Sequence, residues 1–461
     1  MKDVKYCLES FAFYDHVTIQ EKLQAKAQEG WLVEKAGNFL WKYRRIEPKE
    51  LHIAVIYVPN ASEFDPVETE EQQMMEEFAK KDGWNLACRW GQMHIFYNEE
   101  KAPTPMETDT VTQVETIHRA MKKGMLPAYL FSFLLCIYEL VRMIGEAKAN
   151  PVKFFSTPHS LYSIPAYNLL LVATMIELTF YFLWYKKAKK LAKETGDFLG
   201  IHLNHKISFV FIALSILLIL ISFISSGGIV VIAMVIWIMA MIINIAIVHT
   251  MKHWMKKQGI PRGINRFLSV FVSIVCVLSF LAIMVFLVVK YEIGDARKVV
   301  GTYELYGRTH NIYNDPIPLE IEDIMDIEGQ YSYSKEANGS QTILVSHKEY
   351  KQKALPVEGK NIPEFSYIIT EIKFPFLYEV CKQSLLKERQ DKIEDDFIFY
   401  NHYVPIDATI WKATEAYQLH WSSHMLDVYL ICWEDKIVEI EFDWQVIEEE
   451  IKKVVEILEK N

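Results

Sequence analysis

Ile207–Met251 reads ISFVFIALSILLILISFISSGGIVVIAMVIWIMAMIINIAIVHTM, 45 residues without a single Asp, Glu, Lys or Arg. A helix needs about 20 mostly apolar residues to cross the ~30 Å hydrocarbon layer of a bilayer. The run is too long for one crossing. Ser225-Ser226-Gly227-Gly228 divides it with a turn signal, so it reads as two helices joined by a tight hairpin. Three further stretches are comparably apolar, and together they give five expected spans: 126–145, 161–184, 207–224, 229–248 and 267–289. A soluble helical core does not need several uninterrupted apolar runs of this length.

Charge partitions the chain around this block. Residues 1–125 carry a net −5, residues 126–290 a net +10, and residues 291–461 a net −15. The expected organisation is therefore a domain over 1–115, a membrane region over 116–290 and a second domain over 291–461. Lys and Arg beside the spans set orientation. Arg119, Lys122 and Lys123 precede the first span. Six lysines between Lys186 and Lys206 separate the second from the third, and Lys252, Lys256, Lys257, Arg262 and Arg266 separate the fourth from the fifth. If the spans alternate, all of these share one side, against Lys148 and Lys153 opposite. The expectation is a multi-pass protein of the cell membrane, with its N-terminus cytoplasmic and its C-terminus extracytoplasmic. Nothing at the polar N-terminus, MKDVKYCLES, reads as a signal peptide.

Three ionisable residues lie within spans: Glu139, Arg142 and Glu177. Such groups are costly in lipid and are functional candidates by default. A plainer reading stands beside that one. Glu139 and Arg142 share a helix face and can pair, Arg142 can reach the interface, and Glu177 lies near the basic stretch after the second span. That stretch, from Lys186 to Lys193, either attracts anionic lipid or only sets topology.

Residues 4–98 contain a repeat. The first unit has Phe13-Tyr14-Asp15, a helical stretch to Glu29, Gly30-Trp31-Leu32, then the strand Phe39–Tyr43. The second has Phe64-Asp65-Pro66, a helical stretch to Asp82, Gly83-Trp84-Asn85-Leu86, then His94–Tyr97. A strand-like run precedes each unit. Asp15 and Asp65 are placed to cap helices, and Gly30 and Gly83 to end them. Strand–helix–strand–strand, twice, predicts a ferredoxin-like α+β sandwich with one sheet and two helices on one face. This duplicated pattern resembles the domain-of-unknown-function family 2812. The resemblance covers about the first hundred residues. It implies a bacterial cell membrane, in the Firmicutes, and a regulatory neighbourhood beside PadR-type transcriptional regulators. It brings no catalytic residues.

The C-terminal part reads as mixed α+β on an antiparallel sheet. Tyr429–Trp433 and Ile437–Phe442 form an expected hairpin. Leu377–Gln390 reads as one helix, and a final helix from Asp443 buries Ile447, Ile451, Val454 and Leu458. Tyr400, His402, Tyr403, Trp411 and Tyr417 form a candidate ligand pocket. His420 and His424, four apart, share a face whether on a helix or a strand, but no third metal ligand accompanies them. The acidic runs Glu320–Asp323 and Glu394–Asp396 read as solvated loops. Cys381 and Cys432 could pair or stay free, and no CxxC occurs. No motif for a cofactor, metal or catalytic nucleophile is present. A net −5 argues against nucleic-acid binding by the N-terminal domain.

The expected function is signalling or regulation, with the bilayer and a cytosolic regulatory protein as partners. A transporter or transporter accessory subunit using Glu139 and Glu177 is one rival. An envelope-acting enzyme is another. Ligand and oligomeric state are not legible in the sequence.

Overall fold

A computed structural model describes residues 3–460, apart from 10, 38–39, 108, 201–205, 292–297, 306, 328–330, 358–361 and 391–400. Tyr400 and the Glu394–Asp396 run lie outside the described residues. The chain forms two compact units. One comprises Met1–Leu140, Pro165–Leu218 and Ile232–Leu287; the other comprises Val141–Ile164, Ile219–Val231 and Val288–Asn461.

The N-terminal repeat is β1 (Val4–Leu8), α1 (His16–Gln28), β2 (Trp31–Lys35) and β3 (Leu40–Arg45), then β4 (His52–Tyr57), α2 (Glu70–Lys81), β5 (Asn85–Trp90) and β6 (Met93–Asn98). Each unit closes its own antiparallel three-stranded sheet, in the orders β1-β3-β2 and β4-β6-β5. The single shared sheet expected from sequence is therefore replaced by two. Strand alternation explains how they form one domain. Ile53, Val55 and Tyr57 of β4 join the core containing Ile19, Leu23 and Ala27 of α1. Ala54 and Ile56 point the other way, into a second core with Ala79 of α2, Trp84 and Phe96. The helix ends follow local chemistry. Asp15 caps α1 by accepting from Thr18 N at 3.3 Å, and Gly30 and Gly83 take positive φ of 82° and 78°. Asp65 does not cap α2. Thr69 does, in a capping box with Gln72, while Asp65 closes a turn by accepting from Ser62 N at 2.7 Å.

Helices α3 (Thr110–Lys123), α4 (Leu126–Ala149), α5 (Pro151–Ser156), α6 (Pro158–Glu194), α7 (Lys206–Ser225), α8 (Gly228–Lys257) and α9 (Arg262–Tyr291) follow. Five of them, α4 and α6–α9, contain segments long and apolar enough to cross a membrane. Many of their large apolar side chains are exposed, such as Phe131, Ile245 and Val285. Water penalises such a surface and lipid does not. Polar groups between α8 and α9 satisfy one another. Asn244 Nδ2 donates to Ser273 O at 3.2 Å, and Ser273 Oγ donates to Asn244 Oδ1 at 3.1 Å.

The C-terminal region has β7 (Val299–Leu305), β8 (Arg308–Tyr313), α10 (Ile321–Ile324), β9 (Tyr333–Gln341), β10 (Val345–Ala354), β11 (Phe365–Ile372), α11 (Pro375–Glu388), β12 (Asn401–Ile406), β13 (Glu415–Trp421), β14 (His424–Cys432), β15 (Lys436–Phe442) and α12 (Glu448–Lys460). Strands β9–β15 make one seven-stranded sheet in the order β12-β13-β14-β15-β11-β10-β9. The expected hairpin is β14–β15. The last helix starts at Glu448 rather than Asp443, because Asp443 N still bonds Glu364 O at 3.3 Å and Trp444 packs on Phe442 at 5.0 Å. Cys381 and Cys432 are both buried free thiols. On one face, α5 packs into a core with the sheet and α11, joining Val152 to Val345, Ile372 and Leu377.

Candidate functional site

A cleft of about 880 Å³ in the first unit is walled by turns of the N-terminal domain and by the end of α8. The domain supplies the end of β2 at Lys35, the turn between Ser62 and Glu68, and, as a second turn, Gly91 with the end of β5 at Arg89 and Trp90 before it. Gly91 takes a φ of 56° in that second turn, a conformation that costs glycine little. The helix supplies His249, Lys252, His253 and Lys256. Their spacing of three, four and seven places all four on one helix face. The His249 and His253 rings are 4.5 Å apart.

The acids of this cleft are engaged. Glu63 pairs with Lys252 at 2.8 Å and Glu68 with Arg89 at 2.7 Å. Arg89 also forks onto Glu76 at 2.8 and 2.7 Å, the bidentate geometry that makes Arg–carboxylate pairs strong. Asp65 lies 3.7 Å from Arg262. Lys35 and Lys256 have no ion-pair partner among the described residues.

Around the cleft the domain is fixed to helices at two places. Lys123 Nζ donates to Asn60 Oδ1 at 2.6 Å, Arg262 Nη1 to Asn60 O at 2.9 Å, and Asn265 Nδ2 to Phe64 O at 3.3 Å. Elsewhere Tyr181, Trp184, Ala188 and Ala192 of α6 enter the main N-terminal core. Tyr14 packs on Tyr181 and Trp184 at 5.3 and 5.0 Å. His118 Nδ1 lies 2.6 Å from Tyr181 Oη, and Glu115 pairs with Lys189 at 2.6 Å.

Glu177, buried in α6, acts on this same region. Burial pushes the Tyr14 phenol well above its ordinary value, and the Glu177 carboxylate adds to the push. Arg142 pairs with Glu146 one turn further along α4, and Glu139 is half-buried on the same helix.

Three further groups have shifted titrations, and one of them, His94, feels the cleft's Arg89. Burial holds His16 and His94 down at about 4, so both are neutral at pH 7. Burial raises Glu107 to about 7, with Gln113 opposing the rise. Its Oε2 is buried with no hydrogen-bond partner among the described residues. The folded chain then holds this proton more tightly than the unfolded chain does. Stability falls as pH rises from 4.5 towards 7, and the loss is complete above that window. In Glu107→Gln the thermal midpoint of the detergent-solubilised chain should exceed wild type more at pH 8 than at pH 5.

The C-terminal candidates separate. Tyr403 Oη donates to Glu439 Oε2 at 3.1 Å, and Tyr417 Oη to Glu415 Oε2 at 2.5 Å. Both pack against the core under α11. Trp411, in a 3-10 turn, is 1% exposed and belongs to the opposite core, against Tyr429 at 5.2 Å. His402 faces His420 across paired strands, ring centres 5.8 Å apart. His420 and His424 do not share a face along one element. They fall on β13 and β14 either side of a turn, with Trp421 opposite His424. No cluster of three potential metal ligands occurs among the described residues.

Sequence reading counted Lys252 and Lys256 only as topological charges and passed over His249 and His253. The available signal was the interleaving of two imidazoles and two ammonium groups at helical spacing where an apolar run ends.

By length and composition, the five apolar helices between α+β parts define a membrane protein. Residues 15–129 match a family model described as "Protein of unknown function (DUF2812)". The matched stretch contains every N-terminal wall of the cleft, whereas the α8 wall lies outside it. No curated protein and no solved structure matches the chain.

Proposed function

We propose that the chain is a signalling or regulatory protein of the cell membrane. Its acidic C-terminal domain would lie outside and its N-terminal domain in the cytosol, where a regulatory protein reads its state. The Lys/Arg bias beside the spans supports this orientation.

One observation supports the reading: α5, which precedes α6 in the chain, packs in a core with the C-terminal sheet, and the last turns of α6 belong to the N-terminal core. Before the first residue of α6, α5 is fixed to the C-terminal sheet, with Thr342 Oγ1 donating to Phe155 O at 2.5 Å and Ser340 Oγ to Ser156 Oγ at 3.0 Å. Its last turns, from Tyr181 to Ala192, belong to the N-terminal core. The helix α6 itself has 37 residues. In this reading a displacement at α5 would pass along α6 to the N-terminal core, because packed elements resist gradual deformation.

Val152→Asp, which places a charge in the α5 contact, tests this by amide exchange on the full chain in nanodiscs. Coupling predicts faster exchange in α3 and in the last turns of α6 as well as around α5. Exchange altered around α5 alone would remove the proposal.

A further inference from the structure

We infer that the cleft between the N-terminal domain and the end of α8 binds a phosphate-bearing anion. Glu63, Glu68 and Asp65 are the carboxylates of the cleft, and each has a cationic neighbour. What remains facing the same volume is Lys35, Lys256 and the imidazoles of His249 and His253. Two ammonium groups with no ion-pair partner among the described residues, beside two further nitrogen-bearing rings, are a surplus of donors that an anion would satisfy. A cation finds no free carboxylate there.

Size and depth narrow the class. About 880 Å³ falls within the range of small-molecule sites. It exceeds what a halide or a single inorganic phosphate fills. The charge-free run ends at Met251, so Lys252 and Lys256 stand where α8 leaves its apolar stretch. That is the level of lipid headgroups and also of the aqueous phase. The apolar wall formed by Ala36 and Trp90 leaves room for an organic moiety attached to the phosphate. The ligand class is therefore a phosphate ester, either an anionic lipid headgroup or a soluble organic phosphate. This inference does not depend on the signalling proposal.

The test uses the full chain in phosphatidylcholine nanodiscs, in two arms. One arm adds adenosine diphosphate to the solution as a soluble probe. The other dopes the bilayer with phosphatidylglycerol. In each, amine acetylation of wild-type Lys35 and Lys256 is mapped by mass spectrometry, and affinity is measured. Protection of both lysines is expected in at least one arm, and the protecting arm identifies the source. In that arm Lys35→Gln/Lys256→Gln should weaken binding on the order of 10- to 30-fold, while Lys186→Gln/Lys187→Gln, outside the cleft, should leave it within about 2-fold. If the first variant fails to fold, His249→Gln/His253→Gln together with wild-type protection decides the matter. Absence of protection in both arms, or equal weakening by the two lysine pairs, overturns the inference.

Discussion

Trp184→Ala should destabilise the N-terminal core by about 3–5 kcal/mol, the usual range for deleting a buried large aromatic. The indole is 3% exposed and is bounded by Tyr14 at 5.0 Å, Tyr181 at 6.2 Å and Phe198 at 6.5 Å. Its Nε1 donates to Leu199 O at 3.3 Å. No small side chain fills that volume, and the carbonyl loses its donor. Amide exchange in α1 and α3 should rise, with the C-terminal sheet unchanged. Trp184→Phe keeps most of the ring contact and gives up the hydrogen bond, so about 1 kcal/mol is expected. If alanine leaves exchange in α1 and α3 at wild-type rates, the end of α6 is not part of the N-terminal core, and the coupling proposal loses its inner anchor.

Trp411→Ala should cost the C-terminal domain a similar 3–5 kcal/mol. The ring lies among Tyr429, Val454 and Leu458, and the residue after it, Lys412, takes a φ of 47°, an uncommon conformation for a side chain with a Cβ. For a domain of this size the loss corresponds to roughly 10 °C in thermal midpoint, read by tryptophan fluorescence of the full chain in detergent. Tyr417→Phe removes only the bond to Glu415 and should shift the midpoint by a small fraction of that. Equal small effects from both substitutions would mean that Trp411 lines an open pocket instead of filling a core.

These two residues also show where sequence was a sound guide and where it was not. The five apolar helices were legible because bilayer thickness imposes a length and a composition on a single continuous segment. The duplicated unit was legible because its helix-stopping glycines and the tryptophans after them act locally. Two sheets in place of one were not legible, since any β-strand offers the same ladder to several partners and the choice is made by packing on both faces of β4. Trp411 was grouped with its aromatic neighbours in sequence, but a 3-10 turn carried it to the opposite core from Tyr403 and Tyr417. The cleft was hidden for a related reason. Its domain walls, at Lys35 to Gly91, and its helix wall, at His249 to Lys256, are separated by more than half the N-terminal unit's span of sequence. The docking of α5 did leave a trace that was passed over. Asn150-Pro151 is a helix-start pair, with Asn150 accepting from Lys153 N at 2.9 Å and Pro151 in the first turn.

In the proposed topology an odd number of bilayer crossings would place the two acidic domains in different aqueous compartments. Single cysteines introduced at exposed Glu77 and Glu448, in a background lacking the native thiols, can be labelled in intact cells with a membrane-impermeant maleimide. The account predicts labelling at position 448 without permeabilisation, and at position 77 only after it. Labelling of both positions in intact cells, or of neither, would contradict it.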